Sequence, residues 1–355
     1  MRALKLFAPL IAIPVLALIG LAIWLAFGDR VAGSAKDWQL FQDQKDPVWN
    51  NRPTLADATE GEKDAFDFTR NHMEFPQEWW YFNVHLMDEK DRRYGLMIAF
   101  LKTGQILGSL TLVRHEKHFS MQQPGLVELN PETLTVAGPS TTLRQLDPGK
   151  YEYEFALEHP LAEIKLKMKA NKKPLPVGGA GLIDMGPGGE SYYYSLTNLS
   201  VEGEGEIRGS KVKLQGKGWM DHQWGNWNDR DFDQWHWYSI QLADQTEIMI
   251  FEFRRHSKML NPVCDIYYPD GTTKHNLPFT ISSLGSWVSP RTTRSWSVGW
   301  RIRLPSEELD LQVLPDQEDQ EVTDALWEGV CHVEGTRNMK PIAGLAFYEA
   351  RHRTW

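Results

Sequence analysis

The sequence predicts an all-β body, two consecutive barrels or sandwiches, behind an N-terminal transmembrane helix. Three observations carry this. From Glu78 onward the chain runs in short aromatic or β-branched stretches broken by Gly, Pro, Asp and Asn. Several stretches alternate strictly, with Tyr151, Tyr153, Phe155 and Leu157 set against Glu152 and Glu154, and Ile164, Leu166 and Met168 against Lys165, Lys167 and Lys169. No long amphipathic helix interrupts them.

Residues 1–28 come first. Arg2 and Lys5 precede Leu6–Phe27, which carries no charge and would be about 33 Å long as a helix, enough to span a bilayer. Positive charge before it and Asp29 after it put the N-terminus in the cytoplasm. The segment reads as an anchor or uncleaved signal. Ala26-Phe27-Gly28 is an acceptable cleavage site, so a secreted or periplasmic body after cleavage is the alternative. Either way the body is exported; with the anchor kept, it is held at the inner membrane and faces the periplasm. Residues 29–65 read as a linker rich in Asp, Gln, Asn and Pro, in which Trp38 and Trp49 are candidates for docking onto the body.

The expected strands span 78–87, 93–102, 107–115, 151–158, 163–170, 191–198, 211–219, 234–243, 246–255, 263–269, 296–303, 308–313, 325–334 and 342–350. About fourteen strands are too many for one small barrel and suit two, divided as 66–215 and 216–355. Asp270-Gly271, Gly209-Ser210 and Pro148-Gly149 mark turns. Two stretches break the pattern. One short helix is expected after Asn130-Pro131, and the Gly- and Pro-rich segment 172–190 reads as a lid or a disordered loop.

Composition narrows the function. A net charge of −9 argues against a hold on phosphate backbones, so no nucleic-acid partner is expected. Cys264 and Cys331 are too few for a zinc ribbon; an exported pair permits a bridge, and two buried thiols are the alternative. Fifteen tryptophans, with 11 tyrosines and 15 phenylalanines, point to enclosed apolar surface or an apolar ligand.

Familiar catalytic motifs fail on spacing. His115-Glu116-Lys117-His118 has Phe119 where a zinc protease needs its second histidine. Asp229, Asp231 and Asp233 lack the glycine and closing glutamate of a calcium loop. There is no nucleophile elbow and no phosphate-binding loop. No metal and no cofactor are expected.

Two segments concentrate the chemistry. In Glu78-Trp79-Trp80-Tyr81-Phe82, alternation puts Glu78, Trp80 and Phe82 on one face and Trp79 and Tyr81 on the other. In Gly218-Trp219-Met220-Asp221-His222-Gln223-Trp224-Gly225, a regular strand separates Asp221 from His222, and a bulge would bring them together. Trp235-His236-Trp237-Tyr238 follows. Asp221 is a candidate proton donor or orienter of His222. A carboxyl in an apolar pocket has a raised pKa, and indoles stabilise a cation by about 0.5–2 kcal/mol each. The alternative is aromatic packing, with these polar groups bonded to backbone.

These two segments, with Phe75 and the later Trp327-Glu328-Gly329-Val330 and Glu334-Gly335, resemble the signature segments of the double-lipocalin family that contains carotenoid 1,2-hydratases and the AttH-type predicted secreted hydrolases. The resemblance spans about residues 66–350. It implies two consecutive lipocalin-like barrels, an apolar site, and relatives that hydrate an isolated alkene or guide a Diels–Alder closure. It also implies export and association with ABC-transporter systems. The hydratase roles of a histidine and a tryptophan would fall on His222 and Trp224. The hydratases' following strand corresponds to Ile248–Phe253, which offers Glu252 but neither the tyrosine nor the aspartate.

The first expectation is therefore a membrane-tethered carrier for a hydrophobic lipid or isoprenoid, linked to an ABC transporter. The alternative is a hydratase, hydrolase or cyclase in which Asp221 or Glu252 acts as acid. Glu78, His222 and Trp224 complete the candidate catalytic set; Trp79, Trp80, Tyr81, Trp219, Trp235, His236, Trp237 and Tyr238 are the candidate ligand-binding residues.

Overall fold

The computed structural model describes residues 70–352 except 116, 126, 131–132, 186–188, 229–232 and 256–257. The expected anchor and linker, with Trp38 and Trp49, lie outside the described residues, as do Asp229 and Asp231. Among the described residues no helix is long and apolar enough to cross a membrane.

The strands of the first half are β1 (Gln77–Asp88), β2 (Arg93–Leu101), β3 (Gln105–Leu112), β4 (Lys117–Pro124), β5 (Glu128–Asn130), β6 (Thr135–Ala137), β7 (Thr141–Asp147), β8 (Glu152–His159), β9 (Ala162–Ala170), β10 (Leu175–Pro176), β11 (Leu182–Asp184), β12 (Glu190–Ile207) and β13 (Ser210–Asn226). They form one 13-stranded sheet in the order β4-β3-β2-β1-β13-β12-β9-β8-β7-β6-β5, with β10 and β11 added to β12. The second half holds β14 (Gln234–Leu242), β15 (Glu247–Arg255), β16 (Lys258–Tyr267), β17 (Thr273–Lys274), β18 (Thr280–Ser283), β19 (Ser286–Val288), β20 (Ser295–Ser297), β21 (Trp300–Leu304), β22 (Leu309–Pro315), β23 (Glu321–Thr323), β24 (Leu326–Arg337) and β25 (Lys340–His352). Ten of these make a second sheet in the order β17-β16-β15-β14-β25-β24-β22-β21-β18, with β23 on β24, while β19 and β20 form a separate ribbon. The fold is all-β: two curled, barrel-like sheets in sequence.

Alternation decides where each side chain goes. In β9, Ala162, Ile164, Leu166 and Met168 are buried while Glu163, Lys165, Lys167 and Lys169 face solvent. The first sheet curls around a core containing Trp80, Phe82, Phe100, Phe155, Tyr194 and Trp224. The second curls around Tyr238, Ile250, Trp296, Trp300, Trp327 and Tyr348. A third apolar layer draws on both sheets, with Tyr81, Tyr193 and Trp219 from the first and Trp237, Phe251, Val330 and Phe347 from the second. The sheets thus meet back to back. Parts of the strands at that meeting, such as 80–84 of β1, 218–225 of β13 and 236–242 of β14, are buried on both faces, which is why they lose the polar–apolar alternation.

Polar contacts tie the two sheets together. Gln241 Nε2 donates to the Thr197 carbonyl at 2.7 Å and the Gly218 carbonyl at 2.9 Å. Asn198 Nδ2 donates to Glu247 Oε1 at 2.7 Å. Arg93 pairs with Asp316 at 2.8 Å.

The structure corrects several expectations. The division at 215/216 falls inside β13, which pairs with β1 as far as Gly225 and with β12 as far as Asn226. The aromatic segment 218–225 belongs to the first sheet, and the second begins at Gln234. Nothing in composition changes at residue 216, so the boundary left no mark there. The described part of 172–190 is a packed strap, neither lid nor disordered. Leu175–Pro176 and Leu182–Asp184 pair with β12, Val177, Ile183 and Met185 are buried, and Asp265 Oδ2 accepts from the Gly178 N–H at 2.6 Å. Gly178, Gly179 and Gly181 supply the positive φ its turns need. Among the described residues no α-helix follows Asn130: β6 begins at Thr135, and Leu134 is buried in the first core. Cys264 and Cys331 are buried free thiols.

Gly95 lies where the sheets touch. A Cβ there would sit 2.6 Å from Val330 Cγ1 and 2.9 Å from Val330 Cβ. Gly95→Ala is expected to cost about 1–3 kcal/mol of stability, read from urea unfolding. An unchanged midpoint would contradict this packing.

Candidate functional site

The candidate residues fall into three separate places. β13 keeps a continuous register against β1 from Asp88↔Leu214 to Gln77↔Gly225. The irregularity that could have rotated Asp221 toward His222 lies in β12 instead, between Leu196 and Leu199. Asp221 and His222 therefore point to opposite faces.

Glu78, Trp80, His222 and Trp224 turn into the first sheet's interior. His222 Nε2 lies 2.9 Å from Glu78 Oε1, which also accepts the His72 N–H at 2.7 Å. Lys102 Nζ is 3.8 Å from Glu78 Oε2. The His72 ring stacks on Trp224 with centroids 3.8 Å apart, and Trp80 stacks on His222 at 5.3 Å. All four candidates are essentially fully buried. They close one end of the first core and do not reach the cavity described below.

His236, Tyr238 and Glu252 turn into the second sheet's interior. Glu252 Oε1 lies 2.9 Å from His236 Nδ1 and accepts from Arg254 at 3.1 Å. Burial acts to raise the Glu252 pKa, but the Arg254 charge and the His236 contact outweigh it and hold the carboxyl below its ordinary value. Glu252 is thus a carboxylate, unsuited to the acid role expected of it.

Trp79, Tyr81, Trp219, Asp221, Trp235 and Trp237 belong to the face between the sheets. There a cavity of about 330 Å³ opens, lined from both sides. A larger, more open groove of about 850 Å³ runs over Lys167, Lys169 and Lys217 but holds no cluster of buried acids. Besides the exposed Asp324, the smaller cavity carries three carboxyls: Asp221 from β13, Glu328 from β24 and Glu349 from β25.

Each carboxyl is held by neutral donors. Asp221 Oδ2 accepts from the Tyr193 hydroxyl at 2.5 Å; Oδ1 accepts from Ser195 at 2.6 Å and from the Trp219 indole at 2.7 Å. Glu328 accepts from the Tyr81 hydroxyl, which in turn accepts from Asn83 at 2.9 Å. Glu349 accepts from the Trp235 indole, and the Arg351 guanidinium lies 4.3 Å over the same ring. Burial raises the Asp221 pKa to about 7 against those three hydrogen bonds, with the nearby Glu349 adding to the rise. Burial also lifts Glu349 to about 7, despite Trp235 and Arg351. Glu328 is pushed well above its ordinary value by burial and then by Glu349. Among the described residues no group of three or more His, Cys, Asp or Glu side chains is arranged to hold a metal.

Sequence reasoning missed Glu349 and Tyr193 as site residues and quoted Glu328 only within a motif. A signal was present. Glu349 alternates with Phe347 and Arg351, and Glu328 with Val330 and Leu326, on faces that prove to be buried. The register then sets Glu328 directly opposite Glu349.

These shifts make stability depend on pH. The folded state holds protons that the unfolded chain releases once pH passes the ordinary carboxylate range. The stabilisation is therefore full at acid pH and is lost as pH rises through about 7. Glu349→Gln has no such proton to lose. Its stability relative to the unsubstituted protein should climb between about pH 5 and about pH 8, measured by urea unfolding. Parallel profiles would contradict the shift.

Comparison with known proteins agrees with this architecture. The AttH-like family profile matches residues 61–350. A crystal structure of an AttH-type protein from Nitrosomonas europaea superposes with a TM-score of 0.72 at 22% identity, covering 84% of this chain and 99% of that one. Kievitone hydratase from Nectria haematococca superposes with a TM-score of 0.70 at 18% identity, covering 78% of this chain and 89% of that one. Among curated proteins, a dehydratase from Emericella nidulans is 22% identical over 174 residues. That match spans 46% of this chain and about half the relative, 48%. With the profile matching most of its length and the double lipocalin-like fold in place, this chain belongs to the AttH-like family.

Proposed function

We propose that this protein adds water to, or removes it from, an apolar aromatic or isoprenoid substrate bound between the two sheets, with Glu349 as proton donor and acceptor. One observation carries the reading. Glu349 lines the cavity, where burial pushes its carboxyl up to about 7. A group poised there gives and takes protons efficiently at neutral pH. Asp221 and Glu328 are fully buried and already engaged, which suits them to shaping the field around Glu349.

The proton balance closes. In hydration the Glu349 carboxyl gives its proton to one alkene carbon, and the π electrons form the new C–H bond. The other carbon takes water, and the water's spare proton returns to Glu349. Dehydration runs the same steps backward. Trp79, Trp235 and Trp237 line the cavity and stabilise positive charge on carbon.

The carrier expected first needs the apolar walls but gains nothing from three converging acids, whose burial is costly. Similarity to a hydratase and a dehydratase favours the enzyme. In this reading residues 1–28 tether the body to the inner membrane on its periplasmic side, where an apolar substrate arrives from the bilayer or an ABC transporter. Fractionation with protease protection checks that placement, and a cytoplasmic, soluble body would refute it.

The catalytic test is incubation of the full-length protein with prenylated phenols, isoprenoid alkenes and their hydrated forms in heavy-oxygen water. The expected result is uptake or loss of one oxygen, at a rate that falls as pH rises through about 7. Glu349→Gln should lower that rate by about 10²–10⁴-fold. An unimpaired Glu349→Gln variant would rule out the mechanism.

A further inference from the structure

One polar group at the cavity is left unused. Besides Trp79 and Trp227 in the cavity lining, three indoles lie near the carboxyls, and two of them spend their N–H on an acid: Trp219 on Asp221 at 2.7 Å and Trp235 on Glu349. The third, Trp237, is only 4% exposed and lines the same cavity, yet its Nε1–H makes no hydrogen bond. Buried donors are nearly always satisfied, and one that is not marks the place of a missing partner.

The position of Trp237 says what the partner is. On β14 it stands directly opposite Glu349 of β25 and Phe251 of β15. Side chains so paired lie about 4.5–5.5 Å apart at Cβ, so the N–H and the Glu349 carboxyl work on one small volume. The ring is fixed by edge-on contacts with Tyr81, centroids 5.1 Å apart, and with Trp219, 6.0 Å apart. The N–H faces the Tyr193 hydroxyl, but its geometry makes no bond to it. That hydroxyl's own proton goes to Asp221 at 2.5 Å, leaving it as an acceptor.

We propose that the Trp237 N–H, beside Glu349 and Tyr193, forms an oxygen subsite that receives the neutral hydroxyl of the substrate, or the water that replaces it. The donor fits an oxygen lone pair, and the Tyr193 oxygen can take the hydroxyl proton. The subsite supplies neutral groups only, and Arg351, the cation in the cavity lining, lies over Trp235, so a carboxylate or phosphate there would be buried without a counter-charge of its own. The substrate is therefore a neutral aromatic or isoprenoid alcohol, or its alkene, not an acid. This specificity rests on the hydro-lyase reading for its catalytic meaning but not for its binding. During dehydration Trp237 holds the oxygen while Glu349 protonates it. The C–O bond breaks with its electrons going to the departing water, and the proton shed by the neighbouring carbon restores Glu349.

The test uses the full-length protein with naphthylmethanol, its hydroxyl-free counterpart ethylnaphthalene, and naphthoic acid, read by tryptophan fluorescence. The alcohol should bind at least about tenfold tighter than the hydrocarbon, and the acid weaker than the alcohol. In Trp237→Phe the preference for the alcohol should fall below about threefold, because the alcohol loses more affinity than the hydrocarbon does. Equal affinity of alcohol and hydrocarbon for the unsubstituted protein, absence of alcohol binding, or a preference that survives in Trp237→Phe would overturn the subsite. Should that variant not fold, the nitrogen-labelled native protein decides: the Trp237 indole N–H resonance must move with the alcohol and stay with the hydrocarbon. A Trp237-dependent preference without turnover of the prenylated phenols, the isoprenoid alkenes or their hydrated forms would leave the subsite standing and remove the hydro-lyase reading.

Discussion

The hydrogen bond from Tyr81 to Glu328 joins the first sheet to the second at the wall of the cavity. Much else follows from this back-to-back meeting. Each sheet has a core of its own, yet the strands that matter chemically are buried on both faces because the other sheet covers their outer side. Neither half contains the site alone. Asp221, Tyr81 and Tyr193 come from one sheet, and Glu328, Glu349 and Trp237 from the other.

Buried carboxyls occur in all three layers, and their partners tell them apart. Glu78 in the first interior has Lys102, His222 and a backbone N–H. Glu252 in the second has Arg254 and His236. Both are buried acids given basic company, as stable interiors require. The acids at the cavity are held by phenol, indole and hydroxyl donors instead, which bind a carboxyl without supplying a full charge. Burial then dominates and lifts their pKa values. Arg351 near Glu349 offsets only part of that rise. The same contrast explains why a carboxylate beside tryptophans in sequence is a poor guide to catalysis.

Much of the fold was legible in the sequence, because solvent on one side writes alternation into a strand. Tyr153, Phe155, Ile164 and Met168 gave their faces directly. Where both sides are buried, that writing disappears: 218–225 is buried on either face, and the halves were divided in the middle of β13. The Gly-Pro strap at 175–185 looked open because glycine serves tight turns as well as loops, and only its contacts with β12 and Asp265 reveal packing. Of the candidate residues, six lie between the sheets as members of one site. Asp221 is buried among aromatics as expected, but His222, with which it was paired, faces away. Glu349 shares a strand face with Phe347, but local pattern did not give its role, which depends on the β24–β25 register and on docking of the sheets.

The central claim is that burial, outweighing the hydrogen bonds of their neutral donors, lifts the acids between the sheets far enough to hold protons at neutral pH. Infrared spectroscopy of the full-length protein near neutral pH tests it directly, through the stretching band of the un-ionised carboxyl group. The account requires such a band, diminished in Glu328→Gln and again in Glu349→Gln, and fading as pH is raised. A spectrum showing only ionised carboxylates at neutral pH would contradict it.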